Sequence, residues 1–325
     1  MQQFIMLVGL PGSGKSTYAK QLCLEDIRFR EKEANGGIFL STLEYFGSDL
    51  IRKELYGDES IQGNVQDVFE LMKRRTIEAL KSGKSAIYDA TGVKRKDRLD
   101  ILNRVISLKM NIKLKCHIVW ARFETCIERN NNRERVVPEE VIWRMAKQFQ
   151  TPWYDEGWDE IKIVLRDNPY MYDCLHLFEN HDNSHHKDDT IYDHINRVMG
   201  EVWRGPDKGI ITNREDPVTK WTPYRQLAYV HDIGKVYTKD FHNSKGELTE
   251  DAHYYQHQNV GAYMCLGLDK LQDTIGATPL YLSYLTLLHM EPFFDKQPSN
   301  YWKNKVDPEI KKMIYLFNEC DRKGA

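Results

Sequence analysis

The run Gly9-Leu10-Pro11-Gly12-Ser13-Gly14-Lys15-Ser16 constrains this chain more than any other feature. Its G-x-x-x-x-G-K-[ST] spacing needs a strand that stops and a helix that starts. Backbone N–H groups, freed by the glycines, then converge on phosphate oxygens, and the positive end of the helix faces the same anion. The flanks comply. Phe4–Val8 is a short apolar run of buried-strand length, and Lys15 to Leu24 continue as a helix. In this setting Lys15 reaches the β- and γ-phosphates of a nucleotide and Ser16 helps to hold Mg²⁺. Gly9, Gly12, Ser13, Gly14, Lys15, Ser16 and Thr17 are the candidate ATP (or other NTP) contacts.

The first half goes on alternating strands and helices. Val65 to Lys81 carries Val68, Leu71, Met72, Ile77 and Leu80 on one helical face, and Gly83 closes it. Ser85–Tyr88 is a strand, Asp97–Leu108 a helix, Leu114–Trp120 a strand, and Cys126 onward is helical again. Ile161–Leu165 is a last strand. This alternation predicts an α/β domain with a parallel sheet. From Arg166 to Asp189 the chain turns polar, and after it the reading is mostly helical. Thr190–Trp203, for example, places Ile191, Ile195, Val198 and Val202 at the 3.6-residue period. We therefore expect two domains, 1–168 and 190–325, joined by a linker at 169–189, and 325 residues suffice for both. A net charge of −2 excludes a globally basic nucleic-acid binder but not a local basic groove. Six scattered cysteines (Cys23, Cys116, Cys126, Cys174, Cys265, Cys320) form no C-x-x-C pair, which fits free thiols in a reducing cytoplasm. No secretory signal or membrane-length apolar run is visible.

Two further elements bear on the phosphate loop. Asp49 and Arg52, three residues apart, share a helix face; a carboxylate there can take a proton from an attacking hydroxyl, and a guanidinium can hold a phosphate. The run Arg129-Asn130-Asn131-Asn132-Arg133-Glu134-Arg135 precedes Val136-Val137-Pro138-Glu139-Glu140, a helix start, so its arginines can fold over a nucleotide as a lid. Together these elements resemble the P-loop kinase domain of phage-type polynucleotide 5′-kinases, over roughly residues 4–150. The counterparts are Ser48-Asp49 to Arg52, Asp89-Ala90-Thr91-Gly92 at a strand end, and the lid from Arg129 to Arg133. The resemblance implies Asp49 as general base for a 5′-hydroxyl and Arg52 as the grip on the acceptor's 3′-phosphate. It also implies Arg133 as the transition-state arginine, Arg129 as a nucleotide contact, and Asp89 with Thr91 in the acceptor pocket. Ile27–Gly37 departs from the pattern as a longer, charged connection, and Asp49 has no second acid beside it. Lys73-Arg74-Arg75 and Lys94-Arg95-Lys96 with Arg98 either line a path for a phosphate backbone or are solvated helix faces.

The second half turns on His231-Asp232-Ile233-Gly234-Lys235. Adjacent His and Asp can face one metal, and the Asp can bridge two. His194 lies before the pair; His257, His289 and Asp321 follow. The order H…HD…H…H…D resembles the HD phosphohydrolase superfamily, over roughly residues 185–325, and so implies an all-α domain. By that resemblance His194, His231, Asp232 and Asp321 form the core metal site, His257 and His289 ligate a second ion, and Lys235 contacts the scissile phosphate. Such ligands suit Mn, Fe, Ni, Co or Zn. His181, His185 and His186 read as linker residues, with His186 near the site. Neither a K-x-D-G ligase motif nor a D-x-D-x-[TV] phosphatase loop occurs.

The combined expectation is a cytoplasmic, bifunctional enzyme that heals RNA or DNA ends: ATP-dependent phosphorylation of a 5′-hydroxyl, and metal-dependent hydrolysis of a 2′,3′-cyclic or terminal 2′- or 3′-phosphate. A separate ligase would use both products. Two alternatives remain: a nucleoside or small-metabolite kinase joined to an HD nucleotidase, and a nucleotide-gated regulatory module.

Overall fold

A computed structural model describes residues 1–33, 42–169, 179–182, 189–208, 222–268, 277–294 and 296–325. Its contacts divide the chain into two compact units, Met1–Met145 with Pro152–Asn168, and Ala146–Thr151 with Pro169–Ala325. The division is therefore not one cut. The short segment Ala146–Thr151 leaves the first unit and packs into the second. Phe149 is fully buried edge-on to Tyr263, and the Thr151 hydroxyl lies 2.7 Å from that of Ser283.

In the first unit the order is β1 (Gln2–Val8), α1 (Lys15–Glu33), β2 (Leu43–Gly47), α2 (Ser48–Tyr56), α3 (Val65–Lys81), β3 (Ser85–Asp89), α4 (Arg95–Ile106), β4 (Ile112–Trp120), α5 (Phe123–Asn131), α6 (Glu139–Ala146) and β5 (Glu160–Leu165). The strands form one sheet, β2-β3-β1-β4-β5, parallel throughout. β1 sits at the centre because Phe4–Val8 has apolar side chains on both faces, each at most 4% exposed. A strand covered on both faces by helices needs that composition. Ile5 and Leu7 pack with Ile87, Val119, Tyr18 and Ala19 on one side of the sheet. In register, Leu7 faces Asp89 and Gly47 also faces Asp89, so β1, β2 and β3 end at one level. The phosphate loop, α2 and the Asp89 turn all leave from that edge, where open parallel sheets bind ligands.

The α1 helix runs to Glu33, so the expected long connection from Ile27 is helical over its first seven residues; 34–41 lie outside the described residues. The basic path is also corrected in part. Arg98 is fully buried: its Nε donates to Glu156 Oε2 at 2.8 Å and its NH1 to the Gly92 carbonyl at 2.8 Å. Arg95 pairs with Asp155 and Glu156, Lys73 with Glu70 and Asp100, Arg75 with Glu54, and Arg74 with Glu78. Most of those cations hold helices together rather than facing a polyanion.

The second unit comprises α7 (Ile191–Arg204), α8 (Pro223–Val230), β6 (Asp240–His242), β7 (Leu248–His253), α9 (His257–Cys265), α10 (Pro279–Leu288), α11 (Asn300–Asn304) and α12 (Pro308–Gly324). It is mainly helical but not all-α, since β6 and β7 pair antiparallel. A reciprocal capping box of Thr190 and Asp193 starts α7. Prolines at the first turns of α8, α10 and α12 start those helices. Part of the expected linker is built into this unit: the His181 N–H donates to the Asp189 carbonyl, and the Ala252 N–H to the Asp182 carbonyl. Among the described residues the cysteines carry thiols rather than disulfides; Cys174, His185 and His186 lie outside them. No described helix is long and apolar enough to cross a membrane.

Candidate active sites

The phosphate loop is shaped by its glycines. Gly12 has φ +82°, and a Cβ there would overlap the Cys126 carbonyl; Gly14 has φ +93°. Lys15, 9% exposed, folds its ammonium onto the loop, donating to the Gly9 and Leu10 carbonyls at 2.9 and 2.8 Å. Burial pushes the Lys15 pKa down; Asp89 and Asp49 oppose that, while Arg133 adds to it. Asp89, Asp49 and Arg133 thus each lie within electrostatic reach of Lys15. Ser16 donates from Oγ to Asp89 Oδ2 at 2.8 Å, and Tyr45 donates to the same oxygen at 2.7 Å. Ser16 and Asp89 together offer the hydroxyl and carboxylate that hold Mg²⁺ beside a nucleotide in P-loop enzymes. Asp89, expected in an acceptor pocket, is instead bonded to Ser16 of the phosphate loop and to Tyr45. Thr91 contributes its carbonyl, which accepts from the Gly9 N–H at 2.9 Å. Ser13 Oγ is buried with no partner, an orphaned hydroxyl of the kind a phosphate oxygen would satisfy.

Asp49, in the first turn of α2, accepts from Arg52 at 2.9 Å and also from Arg135. Arg52 is 6% exposed and its Nε has no partner. Burial first, then the neighbouring Arg135, lowers the Arg52 pKa, and Asp49 works against both. Arg133 is exposed, and Arg129 donates to the Arg166 carbonyl at 2.8 Å. Three residues here escaped sequence reasoning. Arg135 stood in the lid run without a role; its two-residue spacing from Arg133 was the available signal. Tyr45 is a lone aromatic in a short strand. Arg166 follows β5 and lies against Gly14, where a Cβ would come 3.6 Å from its Nε.

The second unit gathers six widely spaced side chains. His194 comes from α7, His231 caps α8, Asp232 follows it, His257 opens α9, His289 caps α10, and Asp321 lies in the last turn of α12. All six are at most 8% exposed. Two clusters result, His194–His231–Asp321 and Asp232–His257–His289. The Nε2 atoms of His194 and His231 are 3.2 Å apart, as are those of His257 and His289. Asp232 joins the clusters: Oδ2 is 3.4 Å from His194 and from His231, and Oδ1 is 3.3 Å from His257.

The tautomers follow from the backbone. Nδ1 of His231, His257 and His289 each meets the carbonyl three residues earlier, at 2.8, 2.9 and 2.6 Å, and that of His194 meets the Gly324 carbonyl at 3.3 Å. A carbonyl accepts only, so Nδ1 carries a proton, and each ring presents an Nε2 lone pair when it is neutral. Facing Nε2 lone pairs at 3.2 Å repel unless a proton or a cation lies between them. This donor set fits divalent metal ions, with the carbonyls fixing ring orientation as in known metal sites. Burial disfavours a charged His231, but Asp232 and Asp321 outweigh it and lift its pKa to about 10. Burial and the two neighbouring imidazoles push His289 down to about 3. Lys235, at 2.7 Å from Asp232 Oδ2, borders the clusters. His181, expected in a linker, is fully buried beside it.

Residues 4–152 match a family model described as an AAA domain. An L-seryl-tRNA(Sec) kinase from Methanococcus maripaludis is 32% identical over 162 residues, covering 50% of this chain and 58% of its own length. This chain thus spans well under two thirds of that relative. Among solved structures, a Pnkp1/Rnl/Hen1 RNA repair complex aligns with 18% identity over 46% of this chain and 44% of the other, at a TM-score of 0.36. A gluconokinase from Sinorhizobium meliloti aligns with 16% identity over 50% of this chain and 82% of the other, at 0.31. Scores at that level leave the fold to rest on the sheet order above. The first half thus matches an AAA-domain model and is similar over half of this chain to part of a kinase, and its phosphate loop has the form that holds the phosphates of a nucleoside triphosphate with Mg²⁺.

Proposed function

We propose that the chain heals nucleic-acid ends. Its first unit transfers the γ-phosphoryl group of ATP to a 5′-hydroxyl, and its second hydrolyses a 2′,3′-cyclic or terminal phosphate with metal ions. The observation that carries the kinase reading is Asp49, held by Arg52 and Arg135 and close enough to Lys15 to support its charge. In the transfer, the acceptor oxygen bonds to the γ-phosphorus, the bond to the β-phosphate oxygen breaks, ADP leaves, and the hydroxyl proton passes to Asp49. Lys15 and the loop N–H groups hold the β/γ-phosphates, and Arg133 and Arg135 offset the charge that develops between donor and acceptor. The partnerless Nε of buried Arg52 suits an acceptor that carries its own phosphate, such as a polynucleotide end.

In the second unit His194, His231, Asp232, His257, His289 and Asp321 would hold the ions, and Mn, Fe, Ni, Co and Zn suit the ligands. Ions bound by these residues would supply an activated water and would neutralise charge at phosphorus. In the hydrolysis the water oxygen bonds to phosphorus, the bond from phosphorus to one ribose oxygen breaks, and a proton of the water ends on that oxygen as a hydroxyl. Lys235 holds a phosphate oxygen while this happens. An RNA end is the substrate best matched to both units, and a separate ligase is the partner that would consume the healed ends. The name of the curated relative favours a second acceptor for the kinase, a hydroxyl borne on tRNA.

One RNA substrate tests both halves. It carries a 5′-hydroxyl and a 2′,3′-cyclic phosphate and is incubated with γ-labelled ATP, Mg²⁺ and Mn²⁺. We expect label at the 5′ end, reduced roughly 10²–10⁴-fold by Asp49→Asn, and an opened 3′ end that Asp232→Asn leaves closed. A nucleoside and seryl-tRNA are offered in parallel reactions, and label found only on one of them would replace the acceptor. Label released only as inorganic phosphate would turn the first unit into an ATP-driven switch.

A further inference from the structure

We infer that His181 is a positioning residue of the metal-bearing site, acting through Lys235; this rests on the hydrolase reading above. Its place in the sequence gives no hint of this, because it stands in the polar stretch expected to be a linker. In the structure the segment is pinned. Lys239 donates to the Asn180 carbonyl at 2.8 Å and pairs with Asp182 at 2.6 Å, Asn180 bridges to Thr190, and the Tyr254 hydroxyl donates to the His181 carbonyl. The imidazole is thereby carried to full burial, with its Nε2 3.2 Å from Lys235 Nζ and its ring 5.8 Å from that of His194.

An ammonium has three N–H donors and no acceptor. At Lys235 one donor is taken by Asp232 Oδ2 at 2.7 Å and a second by His181 Nε2, which must therefore present its lone pair. The Tyr254 ring closes another side, 5.5 Å from Nζ. Two anchors and a wall leave one N–H in a fixed direction beside the metal clusters. With Asp232 alone, the flexible four-carbon stem would let the ammonium swing about that carboxylate. His181 makes Lys235 a fixed hydrogen-bond donor for an anionic oxygen of a phosphate ester and of the phosphate product.

The test uses the full chain loaded with Mn²⁺, in four forms: wild type, His181→Phe, His181→Gln and Lys235→Met. Metal content is measured first, then the dissociation constant of inorganic phosphate by calorimetry, then kcat and KM on the substrate that the wild type cleaves. A hydrogen bond to a charged group implies that His181→Phe weakens phosphate binding and raises KM roughly tenfold at unchanged metal content. His181→Gln, which keeps an acceptor oxygen, restores most of the loss. In the Lys235→Met background His181→Phe adds nothing further. If His181→Phe binds phosphate like the wild type, or weakens it equally when Lys235 is absent, the inference is wrong. A fall of metal content in both His181 variants would make the residue a structural support and also overturn it. A wild type that binds metal and phosphate but cleaves no phosphate ester would instead sink the hydrolase reading, while the binding comparison still decides the role of His181.

Discussion

Arg98 is a charge with no water around it. Its guanidinium is divided between the Glu156 carboxylate and the Gly92 and Val93 carbonyls, and Trp158 Nε1 completes the arrangement by donating to Glu156 at 3.0 Å. Such a pair adds little net stability over an apolar replacement, yet removing one member strands the other. Glu156→Ala is therefore expected to destabilise the first unit by about 3–5 kcal/mol, and Arg98→Met combined with Glu156→Met to recover most of that. Urea unfolding of the two variants, followed by circular dichroism, checks the difference, and equal losses in both would contradict the argument. The same residue shows where reading residues stops. Lys94 to Arg98 is a basic cluster in sequence, but the partner of Arg98 stands 58 residues away, and nothing local announces it. Lys15, Ser16, Asp49 and Arg52 could be singled out because they stand at short, fixed spacings. Arg135, Tyr45 and His181 could not, because each meets its partner only through the fold.

At the scale of elements, periodicity carried furthest where a helix has one apolar face. Val65–Lys81 is α3 to the residue, with Gly83 left-handed just beyond it, and α7 follows its expected bounds within one residue. The hairpin of β6 and β7 was lost because three exposed residues form its first strand and its second alternates weakly. Gly234 shows what a motif cannot reveal by spacing alone. In His231-Asp232-Ile233-Gly234-Lys235 the glycine has an ordinary backbone conformation, but it lies against the first turn of α9. A Cβ there would overlap the His257 carbonyl and crowd the Gly261 nitrogen at 2.6 Å. The close approach sets Asp232 and His257 within 3.3 Å of each other. Gly234→Ala must push the two elements apart, which costs roughly 1–3 kcal/mol as overpacking does. The Asp232–His257–His289 cluster should suffer first. Metal titration of the variant is expected to show the ion at that cluster weakened more than the one at His194–His231–Asp321. Two unchanged sites would show that the backbone yields without cost.

At the scale of the whole molecule, two candidate sites lie on one chain, and each is assembled within its own unit. The phosphate loop needs one strand–turn–helix, so its site could be read from eight consecutive residues. The metal clusters need five helices and a turn, spread from His194 to Asp321, and only their order could be read. That difference in construction predicts a difference in response to ligands. The first unit has a buried sheet core independent of any ion, and ATP with Mg²⁺ stabilises it by mass action alone, about 2.7 kcal/mol at a hundredfold excess over the dissociation constant. The second unit buries four imidazoles and two carboxylates with two pairs of Nε2 atoms face to face, an arrangement that bound cations would satisfy. A chelator should therefore lower the thermal midpoint of the second unit's transition and abolish phosphate-ester hydrolysis. Returning Mn²⁺ should restore both. In Mg²⁺ supplied afterwards, the chelator-treated protein should still transfer phosphoryl groups from ATP at an undiminished rate. Differential scanning calorimetry with and without ATP, and with and without Mn²⁺, separates the two effects. A single transition that shifts alike with either ligand would mean that the units unfold as one. A second transition indifferent to chelation would mean that the six converging side chains hold no ion, and protons shared between imidazoles and carboxylates would then account for their geometry.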